Sequence, residues 1–282
     1  MRIPLPLQLR ALSDEVEQRL SRVPSDLNEY GYDPFGMCPR EVRPVMLVLA
    51  FLYRHYFRVE TRGIENIPTG RVLLIANHAG NTLPADAAML GQALLLEAEP
   101  PRIVRPMAEF YVPQIPWFSE LIDRVGSVVG TPENCVRLLE RDEAVLVFPE
   151  GHRGFIKPYR EAYRLQRFGR GFVRTALQAK APIVPVGIVG SEEQSPGLLD
   201  AKSLGRLIGA PAFPVTWTFP LFGALGFLPL PVKFRIYFGD PIRLVGEPSD
   251  DDQSIQIHVD RVRDRIALLI EDGLSDRRGW FA

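Results

Sequence analysis

From about residue 60 onward, short apolar runs rich in valine and isoleucine alternate with segments of helical periodicity. The predicted strands are 71–76, 127–130, 144–149, 182–190 and 232–239, and the predicted helices are 86–97, 132–140, 166–179 and 252–272. Such alternation is typical of an α/β domain with a largely parallel central sheet. Because the apolar runs contain few polar residues, we expect helices to cover both faces of the sheet.

The residues before 59 follow a different pattern and predict an N-terminal helical appendage. One face of an amphipathic helix carries Leu5, Leu9, Leu12, Val16 and Leu20. A linker rich in Pro, Gly and Asp follows at 24–39, and a second helix is predicted over 40–57. We therefore predict a helical segment at 1–58 that can associate with a membrane, and one α/β domain over 59–282.

The charge balance argues against nucleic acid as a partner. The 282 residues include 33 basic and 34 acidic side chains, so an anionic partner has to be bound by a local patch. Two widely spaced cysteines, Cys38 and Cys135, and an N terminus unlike a secretory signal favour a reducing compartment. The expected location is the cytoplasm or the cytoplasmic face of a membrane.

Two apolar stretches fall short of a membrane-spanning helix, which needs roughly 18 or more uninterrupted apolar residues. The run at 45–53 is only nine residues long. The run at 207–232 contains five prolines, which would leave backbone groups unpaired in lipid. We predict peripheral membrane contact through the 45–57 helix and the 207–232 stretch. For 207–232, a Pro-rich loop packed on the core and a wall of an acyl groove are open alternatives.

The sequence lacks the motifs G-x-S-x-G, Walker A, G-x-G-x-x-G and H-E-x-x-H. A nucleophile-elbow hydrolase, a P-loop NTPase and a zincin therefore lose their main support.

A histidine and a carboxylate stand where ligands bind in open α/β sheets, at the end of a strand. The run at 71–76 ends at Asn77 and His78, and Asp86 follows at the start of the next predicted helix. A carboxylate bonded to an imidazole fixes its tautomer, so the free nitrogen can take a proton from a hydroxyl. From spacing alone, a structural histidine beside a helix cap is the simpler interpretation.

A second strand, at 144–149, also runs into a polar turn. The turn and the strand end contain Phe148, Pro149, Glu150, Gly151, His152 and Arg153. Proline and glycine favour a tight turn that brings backbone N–H groups and a carboxylate close to a ligand, and arginine can bind phosphate through two hydrogen bonds. Further bases follow at Lys157, Arg160, Arg164, Arg167, Arg170 and Arg174. They predict either a solvated surface or a cradle for the phosphates of a headgroup, a coenzyme or an anionic lipid.

These blocks, in this order, resemble those of the glycerolipid and lysophospholipid acyltransferase superfamily of the PlsC type. The matching residues are Asn77, His78 and Asp86; Phe148, Pro149, Glu150 and Gly151; and Val184, Pro185 and Val186. The likeness extends over roughly 58 to 245. It implies transfer of a fatty acyl group from a thioester, acyl-CoA or acyl carrier protein, to a lipid hydroxyl, without a metal, a cofactor or an acyl-enzyme.

The resemblance implies that His78 is the general base, that Asp86 orients it, and that the turn from Phe148 to Gly151 binds substrate together with Arg153. Seven residues separate His78 from Asp86, whereas the family usually has four. The longer loop looks like that of the monoacylglycerol and diacylglycerol acyltransferase-like branch. After Arg124, the second block lacks the arginine of phosphate-acceptor members. The acceptor therefore stays open between a lysophospholipid and a neutral glycerolipid.

Three other functions are open from the sequence. A thioesterase or lysophospholipase would use the His78 base with water as acceptor. A non-catalytic lipid-binding protein would use His78 and Asp86 only to stabilise its structure. A metal site would bring His78, Asp86, Glu150 and His152 together around Zn²⁺ or Mn²⁺, which the resemblance argues against.

Overall fold

The computed structural model describes residues 5–110, 122, 124–201 and 213–282. The strands within these residues are β1 (Glu60–Arg62), β2 (Val72–Ala76), β3 (Val104–Ala108), β4 (Val128–Val129), β5 (Ala144–Val147), β6 (Ile183–Val189), β7 (Gly197–Asp200), β8 (Pro214–Thr216) and β9 (Arg235–Phe238). The α-helices whose full extent lies within these residues are α1 (Leu5–Ser21), α2 (Pro39–Phe51), α3 (Ala85–Leu96), α4 (Pro132–Glu140), α5 (His152–Phe155), α6 (Gly171–Ala179) and α7 (Asp252–Ser275).

In the described part of the chain, seven strands form the central sheet in the order β1-β9-β6-β2-β5-β3-β4. The five strands from β6 to β4 run parallel to one another, whereas β1 and β9 run antiparallel to them. The short strands β7 and β8 pair separately in antiparallel fashion. This architecture confirms the predicted α/β class and its largely parallel sheet.

Helices cover the sheet on two faces, as predicted. Alternate residues of β2 face opposite sides, and all of them are buried. Val72, Leu74 and Ala76 pack in one core with α1, α2 and α3, which we call the α3 face. Leu73 and Ile75 pack in a second core with α4, α6 and α7, which we call the α6 face.

The N-terminal helices pack on the α3 face. Val16 of α1 and Ala50 of α2 are buried in the same core as β2. A π-helical turn at Leu52–Tyr56 continues α2, and its Tyr53 is also buried. Within the described residues, no helix combines the length and the apolar character needed to cross a bilayer. The domain boundary between 58 and 59 stays a prediction.

One predicted helix begins later than expected. The sequence predicts a helix over 166–179, whereas α6 begins at Gly171. The stretch before it is held as a loop against the turn that follows β5. The Gln166 N–H donates to the Glu150 carboxylate at 2.6 Å, and the Gly169 N–H donates to the Pro149 carbonyl at 3.0 Å. These bonds replace the intrahelical bonds that the periodicity predicts.

Candidate active site

His78 and Asp86 are in direct contact. The imidazole Nδ1 lies 2.7 Å from Asp86 Oδ2, and the Ala79 N–H donates to the same oxygen at 2.9 Å. Asp86 lies in the first turn of α3 and is completely buried, whereas the His78 side chain is 14% exposed. Because Oδ2 accepts a backbone N–H, it also acts as acceptor toward the ring. Nδ1 therefore carries the proton, and Nε2 is the basic nitrogen.

Asp86 also stabilises the start of its helix. Its Oδ1 accepts the backbone N–H of Ala87 at 2.8 Å, while Oδ2 faces His78. A carboxylate in the first turn of a helix is favoured by the positive end of the helix dipole. The two uses of Asp86 that the spacing leaves open, helix stabilisation and contact with the histidine, therefore occur together.

The backbone ahead of His78 is held by a side chain. Asn77 Nδ2 donates to the Ile188 carbonyl at 3.0 Å, and the Ile188 N–H donates to Asn77 Oδ1 at 2.8 Å. This reciprocal pair joins the end of β2 to β6 where the regular ladder ends, and Asn77 is buried. The histidine therefore follows a rigid strand end.

Two aromatic rings flank the imidazole. Phe148 stacks on it with ring centroids 4.0 Å apart and an interplanar angle of 14°. Phe155 lies 4.8 Å away at 32°. Apolar walls lower the local dielectric and strengthen the interaction of His78 with Asp86. The sequence predicted Phe148 as a site residue but missed Phe155, which stands two positions after Arg153.

Glu150 connects the two predicted motifs through backbone groups. Its Oε1 accepts the His78 N–H at 3.0 Å, and its Oε2 accepts the Gln166 N–H at 2.6 Å. The side chain is buried. Glu150 thus fixes the main chain of the histidine, while Asp86 fixes its ring. The sequence could not predict the contact of Gln166 with Glu150, because only the backbone N–H of Gln166 forms it.

The turn after Glu150 has a conformation that suits glycine. Gly151 has φ of +58°, and a Cβ placed there would lie 2.6 Å from Glu109 Oε1. The same Glu109 oxygen accepts the His152 N–H at 3.1 Å. On the other side of the turn, the Pro149 carbonyl accepts the Gly169 N–H. Glu109, which follows β3, is a further site residue that the sequence did not predict.

The basic run that begins at Arg153 separates into groups with different surroundings. Lys157 is buried and pairs with Glu192 at 2.7 Å, and Arg174 pairs with Asp252 at 2.9 Å. Arg153 is exposed and lines a cavity of about 290 Å³ beside the turn. The predicted substrate residue Arg153 is therefore solvent-exposed and lines this cavity, whereas Phe148 and Phe155 are the rings that flank the imidazole.

The long loop between His78 and Asp86 is packed against two other segments. The Asn81 N–H donates to the Phe155 carbonyl at 3.0 Å, and Asn81 Nδ2 donates to the Ser195 carbonyl at 3.0 Å. Gln194 Nε2 donates to the Leu83 carbonyl, also at 3.0 Å. The loop 79–85, which the sequence could not place, is therefore held by α5 and by the polar loop that follows β6.

That polar loop contains two buried carboxylates with different partners. Glu192 pairs with Lys157, and Glu193 accepts hydrogen bonds from Tyr163 and Arg277. Burial raises the pKa of Glu192 to about 7, and the ammonium of Lys157 opposes the shift. The carboxylates connect loops next to the site to the end of α7, where Arg277 follows.

The residues of the metal alternative do not form a ligand set. Glu150 bonds to backbone N–H groups, and His152 is exposed. Throughout 5–110, 122, 124–201 and 213–282, no three or more His, Cys, Asp or Glu side chains are grouped so that they could hold a metal ion.

The sequence is similar to those of known proteins over most of its length. The family model described as Acyltransferase matches residues 58–189. An uncharacterized protein of Mycobacterium tuberculosis is 42% identical over 280 residues, which cover 96% of this chain and 75% of that protein. A mouse protein named DGAT1/2-independent enzyme synthesizing storage lipids is 28% identical over 213 residues, 75% of this chain and 59% of that protein.

The fold also matches a solved structure. The 1-acyl-sn-glycerophosphate (LPA) acyltransferase PlsC from Thermotoga maritima superposes with a TM-score of 0.52 over 97% of this chain and 99% of that one, at 17% identity. At this identity, the likeness shows the fold. The family match spans β1 to β6 and so includes both His78 with Asp86 and the turn at Glu150. The chain therefore belongs to the acyltransferase family, with distant homology to the storage-lipid enzymes, and is an acyltransferase.

Proposed function

We propose that the protein moves a fatty acyl group from a thioester donor to a hydroxyl of a lysophospholipid or glycerolipid, with His78 as general base. The observation that carries this proposal is the 2.7 Å contact between His78 Nδ1 and the buried Asp86 carboxylate. It leaves Nε2 free to act on a substrate.

In the proposed step, Nε2 takes the proton of the acceptor hydroxyl as its oxygen attacks the thioester carbonyl. The tetrahedral intermediate then breaks its carbon–sulfur bond, and the imidazolium returns the proton to the leaving thiolate. Asp86 stabilises the imidazolium between these events. A positioned base of this kind contributes about 10²- to 10⁴-fold to the rate. The step uses acyl-CoA or acyl carrier protein as co-substrate and requires no cofactor.

The turn from Phe148 to Gly151, with Arg153, is the proposed substrate-binding element. Phe148 offers an apolar surface beside the imidazole, where a fatty chain can pack. Pro149 and Glu150 bind backbone groups of neighbouring segments and so hold the turn in place. The exposed side chain of Arg153 lines the cavity beside the turn, where a phosphate can reach it.

The names of similar proteins support a lipid acceptor. The Thermotoga protein is named for acylation of a lysophosphatidate, and the mouse protein for synthesis of storage lipids. The first name specifies an acceptor that carries a phosphate, and the second specifies no acceptor. The proposal therefore includes both lysophospholipids and neutral glycerolipids.

We also propose peripheral contact with a membrane, on its cytoplasmic face, through the apolar loop 217–228. This loop is part of the predicted 207–232 stretch, of which 207–212 lie outside the described residues. Its most exposed side chains include Leu221 at 82% and Leu225 at 70%. The loop lies beside the site, because Thr82 Oγ1 donates to the Phe227 carbonyl at 3.5 Å. Exposed apolar side chains of this size can insert into the interfacial region of a bilayer. The 45–57 segment instead buries several of its apolar residues in the core.

The test is incubation of purified protein with labelled acyl-CoA and a panel of lysophospholipids, mono- and diacylglycerols. We expect acylated lipid with the wild type and none above background with His78→Ala. His258→Ala, at a half-buried histidine on α7 whose Nε2 lies 3.1 Å from the Val245 carbonyl, serves as the matched control. Free fatty acid without added acceptor would indicate the thioesterase or lysophospholipase alternative. Lipid retention without turnover by the wild type would indicate a non-catalytic lipid-binding protein.

A further inference from the structure

Three arginines of the basic run converge on one cavity. The cavity of about 290 Å³ is lined by Arg153, Arg167, Phe168, Gly169 and Arg170. These arginines come from two separate segments, α5 and the loop before α6. Three arginines of the basic run are therefore close together in the fold, which their spacing in the sequence does not show.

Most of the positive charge in this cavity is not compensated by carboxylates. Arg170 pairs with Asp252, but Asp252 is shared with Arg174. In the part of the chain that the structure describes, neither Arg153 nor Arg167 forms an ion pair. Uncompensated guanidinium groups around one cavity favour a ligand with several negative oxygens, because arginine binds phosphate through two parallel hydrogen bonds.

The backbone at the cavity is open to a ligand. A Cβ at Gly169 would have its nearest contact at 3.8 Å, with the Pro149 carbonyl, and one at Gly171 would meet nothing within 4 Å. The helix α6, nine residues long, begins at Gly171, so its N-terminal N–H groups add positive potential on this side.

The cavity is linked to the site through Glu150, but its Phe168 and the Phe148 beside the imidazole pack in different cores. Glu150 joins the His78 N–H to the Gln166 N–H, next to Arg167. Phe168, beside the arginines, is buried on the α6 face. Phe148, which stacks on His78, packs instead on the α3 face. The turn that contains Glu150 therefore stands between the cavity and the imidazole, an arrangement that suits a coenzyme whose flexible arm carries the thioester.

We propose that the cavity formed by Arg153, Arg167 and Arg170 binds the phosphate groups of a coenzyme A thioester, the acyl donor. This assignment rests on the proposed function. With this assignment, the donor is acyl-CoA and not acyl carrier protein, because only coenzyme A carries phosphate groups on an adenosine that can enter the cavity. The donor's arm then extends past Glu150 toward His78.

The first test measures binding without turnover, by calorimetric titration of CoA, 3′-dephospho-CoA and pantetheine. Arg167→Ala is expected to weaken CoA binding about tenfold or more, since it removes charge-assisted hydrogen bonds. Arg160→Ala removes the same charge from the same run at a side chain that is 82% exposed and outside the cavity, and it should bind CoA like the wild type. Equal affinity of wild type and Arg167→Ala for CoA, or no CoA binding by the wild type, would overturn the proposal.

The second test separates this site from the catalytic proposal. In Arg167→Ala, kcat/KM with acyl-CoA should fall more than kcat/KM with acyl-pantetheine, which has no phosphates. A loss that appears only with phosphorylated acceptors, at unchanged CoA affinity, would assign the cavity to the acceptor and overturn the donor assignment. Absence of acyl transfer by the wild type from either donor to any acceptor would instead refute the proposed function, whatever the CoA affinity.

Discussion

Glu150 Oε1 accepts the backbone N–H of His78 at 3.0 Å, while the imidazole of His78 is bonded to Asp86. Two carboxylates from two motifs therefore act on one residue at different atoms. One fixes the position of its main chain, and the other fixes the tautomer and the direction of its ring. Because a general base must lie within hydrogen-bond reach of the proton it takes, both constraints bear on the rate.

Glu150→Gln tests the first constraint. The carboxylate accepts two N–H groups, from His78 and Gln166, whereas an amide offers one oxygen and would turn its NH₂ toward the other donor. We expect a loss of about 1–3 kcal/mol in the free energy of unfolding, together with lower kcat. Denaturant titration and steady-state kinetics measure the two effects. Wild-type stability and kcat in this variant would show that the buried carboxylate does not hold His78.

Asp86→Asn tests the second constraint. The amide oxygen can still accept one hydrogen bond, but its NH₂ group competes for the imidazole nitrogen and no negative charge remains to stabilise the imidazolium. We expect kcat to fall by about 10²-fold or more with the fold retained. Circular dichroism provides the check on folding. The exposed Asp260→Asn on α7 is the matched control and should keep wild-type kcat.

Gly151→Ala tests the geometry of the turn. The left-handed φ of +58° disfavours alanine, and the added methyl would lie 2.6 Å from Glu109 Oε1. We expect a destabilisation of about 1–3 kcal/mol and reduced activity. Gly91→Ala inside α3 is the control, because its Cβ would meet only Val104 at 4.0 Å. That change should be neutral or stabilising by up to about 1 kcal/mol. Equal thermal stability of the two variants would contradict the role assigned to Gly151.

The parts of the site that follow apolar strands could be predicted from the sequence. His78 and Phe148 come at the ends of β2 and β5, whose continuous apolar runs mark buried parallel strands. Asp86 could be placed because a helical pattern begins there. These features are local, so a single stretch of sequence contains the information.

Other parts depend on contacts between distant residues. The strand β3 was missed because Arg105 and Pro106 interrupt its apolar pattern. Arg105 is nevertheless buried, since Asp33 pairs with it at 2.6 Å from a segment that precedes α2. Without β3, Glu109 could not be placed beside Gly151. The arginine cavity could not be predicted from the sequence either. Arg153 and Arg167 lie in separate segments of the chain and line the same cavity only because the turn packs against the loop before α6.

The buried pair of Glu192 and Lys157 makes stability depend on pH. The folded-state pKa of Glu192 is about 7, above its usual 4.5, so the folded protein binds more protons than the unfolded chain between these values. The free energy of unfolding should therefore decrease as pH rises from 4.5 to 7, on the order of 2 kcal/mol. Denaturant titrations at several pH values measure this slope. Glu192→Gln should flatten it, and an unchanged slope in that variant would contradict the assignment.

If the apolar loop 217–228 docks on a membrane, a charged substitution within the loop should weaken membrane binding, and the same substitution elsewhere on the surface should not. Phe222 is 64% exposed in this loop, and Ile257 on α7 is 65% exposed away from it. Because insertion of a phenylalanine contributes about 1.5–3 kcal/mol, Phe222→Glu should weaken binding to phospholipid vesicles at least about tenfold. Ile257→Glu introduces the same charge at similar exposure and should leave vesicle binding unchanged. Sedimentation with vesicles measures both variants. Equal binding of Phe222→Glu and wild type would place the membrane contact elsewhere, and Phe51→Glu on α2 would then test the 45–57 segment.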